Sequence, residues 1–149
     1  MARNDVAFRP AEPSDLPALT ALLVSAGLPS EDVGHPGQDY LLAFREGALV
    51  GSVGLEKRGP LALLRSLAVV PELRRRGLGG QLYDRILAHA LASGVREAYV
   101  LTTTAERFCA ARGFERVERS RVPEALRMTA EFRSLCPASA VCMRRGLAQ

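Results

Sequence analysis

The chain has 149 residues, a formal net charge of +4, and 48% hydrophobic and 24% charged residues, proportions ordinary for a folded single unit over 1–149. No apolar run approaches the ~20 residues of a membrane helix, and no secretory-type apolar segment follows Met1-Ala2-Arg3-Asn4-Asp5, so a cytoplasmic location is expected. Much of the positive excess sits in Arg74, Arg75, Arg76, Arg144 and Arg145 rather than along a face, which favours a compact polyanionic ligand over nucleic acid.

In chain order, residues 6–9 read as a short strand stopped by Pro10. Ser14 is a suitable N-cap for a helix whose apolar face is Leu16, Leu19, Leu22, Leu23 and Ala26, ended by Gly27. Residues 28–39, with Pro29, Gly34, Pro36, Gly37 and several acids, suit a loop at the rim of a site, or plain surface. Residues 40–45 and 48–58 form strands joined at Glu46-Gly47, and Gly59-Pro60 turns the chain into a third antiparallel strand.

That third strand, 61–70, is nearly all apolar and closed by Pro71, as for a strand covered on both faces. Beyond it, Leu78, Leu82, Ile86, Leu87, Ala90 and Leu91 recur at helical spacing, predicting a helix over 79–93 closed by Gly94. A basic, glycine-rich turn joins the two. The first amides of such a helix lack internal partners and its dipole adds positive charge, so the junction favours an anion. Gly77, Gly79 and Gly80 let backbone approach that anion without a Cβ in the way.

A strand over 96–101 then implies a right-handed crossover between parallel neighbours. Thr103 and Glu106 are spaced for a capping box opening a short helix to Arg112. Gly113 leads into a strand over 114–118, residues 123–132 have helical character, and 138–144 form a closing strand after Pro137. The fold class is α/β (α+β mixed sheet), with helices on both faces. His35 and His89 carry no metal-ligand pattern, and Cys109, Cys136 and Cys142 make no CxxC motif or disulfide framework. No metal is expected.

The pattern Arg74-x-x-Gly77-x-Gly79 after Leu67-Ala68-Val69, with Phe108-x-x-x-x-Gly113-Phe114 later, resembles the signature of the GNAT family of N-acetyltransferases. The resemblance implies a GNAT-like acyl-CoA N-acyltransferase fold with a central, mostly antiparallel sheet. It further implies acetyl-CoA as cosubstrate, its pyrophosphate on the amides of Arg75, Arg76, Gly77, Leu78, Gly79 and Gly80 beside Arg74. The pantetheine arm would pair with Leu67, Ala68 and Val69. Three further blocks, residues 63–69, 101–105 and 131–140, are similar to the arsenic-resistance branch of that family. Expected partners are a small-molecule amine, amino-acid-like or arsenic-containing, and coenzyme A, with neither nucleic acid nor membrane; a homodimer is left open.

Acetyl transfer by direct attack needs a neutral amine, donors for the oxyanion and a proton for the thiolate. In many GNAT enzymes a tyrosine just after the position of Phe108 supplies that proton; here the position is Cys109, a proton donor or a packing residue. The glutamate of the histone-modifying branch is replaced by Leu63, which disfavours that role. Glu56 is the candidate base, against a plain hairpin charge beside Lys57 and Arg58. Arg65, a guanidinium in an apolar strand, meets either a carboxylate or an anionic substrate. Thr102 and Thr103 end the strand bordering the cleft as substrate contacts, with capping as the alternative for Thr103. A non-catalytic acyl-CoA sensor or a thiol-based arsenical-binding protein is the competing reading.

Overall fold

The architecture grows from one hairpin. In the computed structural model, which describes residues 5–147, β2 (Gln38–Arg45) and β3 (Ala48–Arg58) are joined by Glu46 and Gly47 at φ 53° and 80°. Positive φ at both loop positions matches the twist of the strands it connects. Met1, Ala2, Arg3 and Asn4, which bear on the expectation that no secretory segment is present, lie outside the described residues. β4 (Leu61–Val69) pairs antiparallel with β3, and β1 (Ala7–Pro10) pairs antiparallel with β2.

Helix α2 (Leu78–Ala92) carries the chain across to β5 (Glu97–Thr102), which runs parallel to β4. Last comes β7 (Val141–Gly146), antiparallel to β5, with the two-residue β6 (Glu115–Arg116) outside it. The seven-stranded order is β1-β2-β3-β4-β5-β7-β6.

Strand alternation divides the core between the two faces. On one, Ala43, Val53, Leu55, Ala62, Leu64 and Met143 pack beneath α2 and α3 (Glu106–Ala111). On the other, α1 (Leu16–Ser25) buries Leu19, Leu22 and Leu23 against Tyr40 and Leu42, while α4 (Glu124–Arg127) buries Leu126 against Leu63 and Tyr99. Among the described residues no helix is long and apolar enough to cross a membrane.

The feature that positions the site is a break in β4. Ser52 pairs with Ala68 and Gly54 with Arg65, so Val53 faces two residues, Ser66 and Leu67. Ser66 takes φ 61°, and its carbonyl accepts a hydrogen bond from the Ser52 hydroxyl at 2.8 Å. A bulge of this kind bends its strand. Pairing of β4 with β5 accordingly stops at Leu64 opposite Val100, although β5 stays paired with β7 as far as Thr102.

Several sequence expectations shift. Ser14 does not cap α1; Pro13 starts a short 3-10 turn, and the Asp15 carboxylate accepts from the Glu12 amide at 2.8 Å and from Arg9. The Thr103–Glu106 box does not form, because Thr102 Oγ1 accepts from the amides of Ala105 (2.8 Å) and Thr104 (3.3 Å) and Glu106 pairs with Arg116. The helical tract over 123–132 is interrupted where the Thr129 hydroxyl donates to the Leu126 carbonyl (2.7 Å), and a π-helical turn, Glu131–Leu135, follows. β2 starts two residues earlier than expected, and β7 lies later than 138–144.

Candidate active site

Past the bulge, the β4 edge that would face β5 carries no strand, and this open edge runs through half-buried Leu67, buried Ala68 and half-buried Val69. It leads into the turn, where Arg74 Nε donates to the Val69 carbonyl at 3.0 Å and so helps to fix the exit from the strand. Arg75 and Gly77 both adopt left-handed backbone, φ 64° and 81°. That winding starts α2 at Leu78, whose side chain is buried in the core while the first amides, at 78, 79 and 80, lack partners within the helix. Arg75 and Arg76 are exposed beside them.

Gly80 also has a packing reason. A Cβ there would run into the guanidinium of Arg112, which lies 4.7 Å over the Phe108 ring, so Gly80 serves the packing of α3 on α2. An unpaired strand edge ending at a helix N-terminus suits a ligand with an extended, amide-bearing arm and an anionic diphosphate. Coenzyme A has that chemistry.

On the opposite face of β4 lies a buried charge cluster. Tyr40, Gly54 and Arg65 sit side by side on three strands. Gly54 makes the row fit, since a Cβ there would stand 2.6 Å from Tyr40 Cε1 and 3.1 Å from Arg65 Cγ. The Arg65 side chain is fully buried. It donates to both carboxylate oxygens of Asp32 (2.6 and 2.5 Å) and to Glu56 Oε1 (2.9 Å), and its Nη2 lies 3.3 Å from Glu131 Oε2.

Arg65 therefore meets carboxylates of this chain, and its reading as an anchor for an anionic substrate is corrected. Desolvation opposes its charge, but the acids around it hold its pKa above the ordinary arginine value. Glu56 is likewise no exposed hairpin charge: it is buried, with Oε1 taken by Arg65 and Oε2 by Arg58 Nη2 at 2.9 Å. Burial works to raise the pKa of Asp32, yet its two bonds to Arg65 hold it below the usual carboxylate range. For Glu131, burial dominates and pushes the carboxyl up to about 7 despite Arg65.

Sequence reasoning missed Asp32 and Glu131. Asp32 was one acid among several in the 28–39 loop, and Glu131 fell in a tract read as ordinary helix. The signal was the arginine at 65, since a guanidinium in an apolar strand requires an anionic partner, a carboxylate of the chain being one of the two readings.

A cavity of about 380 Å³ opens between these groups and the end of β5, lined among others by Leu28, Arg65, Ser66, Thr102, Thr103 and Glu131. Thr102 is buried and turned to its capping bonds, whereas Thr103 is exposed. A larger hollow, about 640 Å³, lies beside β1, β2 and the C-terminal half of α2, near where Asp39 meets His89 (3.0 Å) and Lys57 (2.9 Å); none of its lining belongs to residues 61–80.

Cys109 does not line the smaller cavity. It is buried beneath α2, accepting a hydrogen bond from the Tyr83 hydroxyl at 3.8 Å, and burial raises its thiol pKa. Its neighbours are those of a core side chain. Cys136 and Cys142 belong to the other face of the sheet, so the three thiols do not converge. Among the described residues, no group of three or more His, Cys, Asp or Glu is placed to hold a metal ion.

The family model described as the acetyltransferase (GNAT) family matches residues 8–117. An amino-acid acetyltransferase from Pseudomonas fluorescens (strain Pf0-1) is 33% identical over 90 residues, 59% of this chain and 21% of that protein. An uncharacterized N-acetyltransferase from Chlorobaculum tepidum is 31% identical over 88 residues, 58% of this chain and 56% of that protein. The chain thus spans about a fifth of the length of the amino-acid acetyltransferases it matches.

Among solved structures, N-acetylglutamate synthase from Neisseria gonorrhoeae complexed with coenzyme A and N-acetyl-glutamate superposes with a TM-score of 0.81 at 22% identity, covering 99% of this chain and 36% of that one. Rv2747 from Mycobacterium tuberculosis in complex with CoA and NLQ gives 0.78 at 24% identity, covering 95% and 99%. These two likenesses show the fold. With the family model matching most of this chain, residues 8–117, and a bulged fourth strand opening onto a glycine-rich helix start, the chain belongs to the GNAT acetyltransferase family.

Proposed function

We propose that this protein is an acetyl-CoA-dependent N-acetyltransferase that moves an acetyl group to the amine of a small, amino-acid-like molecule by direct attack in a ternary complex. The observation that carries the reading is the separation of β4 from β5 next to the unpartnered amides of α2. The edge at Leu67, Ala68 and Val69 would pair with the amides of the pantetheine arm, and the amides of residues 75–80 would take the diphosphate, with Arg75 and Arg76 adding positive charge. Once bound, acetyl-CoA supplies an activated acetyl thioester; the chain's own contribution is to hold that thioester and the amine together.

The acceptor side is small and acidic. A cavity of about 380 Å³ suits a small molecule, and the carboxylates of Asp32, Glu56 and Glu131 outnumber the guanidiniums of Arg65 and Arg58 in the cluster beside it. That balance favours an ammonium group. The amino-acid class is supported by the names of the matched amino-acid acetyltransferases. Within that class, an arsenic-containing amino acid is supported by the three blocks at 63–69, 101–105 and 131–140.

Isothermal titration with acetyl-CoA, followed by free-thiol release across a panel of amino acids and other small amines, tests the proposal. Binding is expected, weakened at least tenfold in Gly77→Glu, where the side chain meets a left-handed backbone and its charge opposes the diphosphate. Absence of binding, or equal binding by Gly77→Glu, refutes the cofactor assignment. Binding without turnover on any amine points instead to an acyl-CoA sensor.

A further inference from the structure

Acetyl transfer leaves one requirement without an agent. An aliphatic amine is an ammonium ion near neutral pH and must shed a proton before it can attack. Glu56, the candidate from sequence, has each oxygen engaged by a different guanidinium, at 2.9 Å in both cases. Asp32 holds Arg65 through two short bonds.

Glu131 differs from both. Its Oε2 has only the 3.3 Å approach to Arg65 Nη2, and its Oε1 accepts only the Cys136 thiol, at 3.7 Å. The ionisable groups facing it are Asp32 from the 28–37 loop, Tyr40 from β2, Glu56 from β3, Arg65 from β4 and Cys136 from the end of its own turn. Arg65, already bound by Asp32, is the one cation within reach of Glu131 among these groups, so Glu131 is the carboxylate without a counter-ion of its own. It sits on the π-helical turn Glu131–Leu135, a local irregularity often found at functional sites, and lines the same cavity as Thr102, Thr103 and the bulge residue Ser66.

We propose that Glu131 is the general base of the reaction, taking the proton that the acceptor ammonium sheds inside this cavity. The inference rests on the acetyl-transfer reading. R–NH₃⁺ gives one proton to the Glu131 carboxylate, and the freed lone pair forms the bond to the thioester carbonyl carbon. Collapse of the tetrahedral intermediate breaks the carbon–sulfur bond; the second proton lost by nitrogen ends on the thiolate, and Glu131 returns the first to solvent. The products are an amide, a free thiol and one proton. Burial, which pushes the carboxyl up to about 7, gives the group the basicity this task needs near neutral pH.

The test compares the wild type with Glu131→Gln, which keeps the shape of the protonated acid, and Glu131→Asp, which keeps a carboxyl. Kd for acetyl-CoA by calorimetry, kcat/KM against pH and ¹³C titration of the Glu131 carboxyl are measured. In the wild type, kcat/KM should fall below about pH 7 more steeply than amine titration alone requires, with the carboxyl resonance moving over the same range. Glu131→Gln should lose that break and about 10²-fold in kcat/KM at pH 8 with Kd unchanged, while Glu131→Asp keeps a break at reduced rate. A Glu131→Gln protein within threefold of wild type, or one with the same break, overturns the proposal and leaves acetyl transfer standing. A wild type that binds acetyl-CoA but acetylates no amine overturns both.

Discussion

Replacing Glu131 by glutamine should change how stability depends on pH, whatever the acceptor. The native carboxyl titrates near 7 rather than at its ordinary 4.5, because burial disfavours the charged form. Since the folded value lies above the unfolded one, the folded state binds the proton more tightly between them. The contribution is fully present below pH 4.5 and is lost as pH rises through 7. At about 1.4 kcal/mol for each pH unit between the two values, the wild type should lose about 3 kcal/mol between pH 4.5 and pH 8 that Glu131→Gln does not lose. The side chain is 5% exposed, so solvent screening takes little from that figure. Urea unfolding of both proteins at the two pH values, followed by circular dichroism, gives the difference directly. Parallel curves would mean that Glu131 ionises as an ordinary surface glutamate, and the charge balance described for the cluster would be wrong.

Arg65→Leu should cost about 3–5 kcal/mol at neutral pH by leaving buried acids unpaired, read from denaturant midpoints; a loss under about 1 kcal/mol would refute the central place given to Arg65. Gly54→Ala should cost about 1–3 kcal/mol, because the new methyl overlaps the Tyr40 ring in a packed row, and thermal unfolding checks it. Cys109→Ala should cost about 1 kcal/mol and leave turnover within about threefold of wild type. A loss of about 10²-fold or more in kcat would restore the thiol as proton donor.

The regions of the fold legible in the sequence are those governed by local chemistry. Glu46-Gly47 marks the hairpin, the glycines and arginines from 74 to 80 mark the start of α2, and Gly94 lies just past its end. The bulge at Ser66 was not legible, because an apolar strand gives no local sign of which residue will be doubled against its partner. Capping failed in the same way at two places in the chain: Ser14 and Thr103 have suitable chemistry, but the neighbouring Asp15 and Thr102 win the contest for the free amides. At the candidate site, Arg65 announced that something charged was buried, while its partners, 33 residues before it and 66 after, depended on the topology.

The bulge in β4 does more than separate that strand from β5. Before it, even-numbered Ala62 and Leu64 face α2; after it, odd-numbered Leu67 and Val69 do, and Ala68 has passed to the side of α1. One extra residue thus slips the phase of the strand, so the gap and the assignment of side chains to the two cores are a single event. Drawing Ser66 into regular pairing, with no residue removed, would close the seam and, in the same act, exchange the side chains of Leu67, Ala68 and Val69 between the two cores, whereas deleting Ser66 would remove the bulge and leave all three on the sides they now take. The cleft is written into the inside-outside alternation of the strand itself, and with Ser66 in place the strand cannot straighten without misassigning Leu67, Ala68 and Val69.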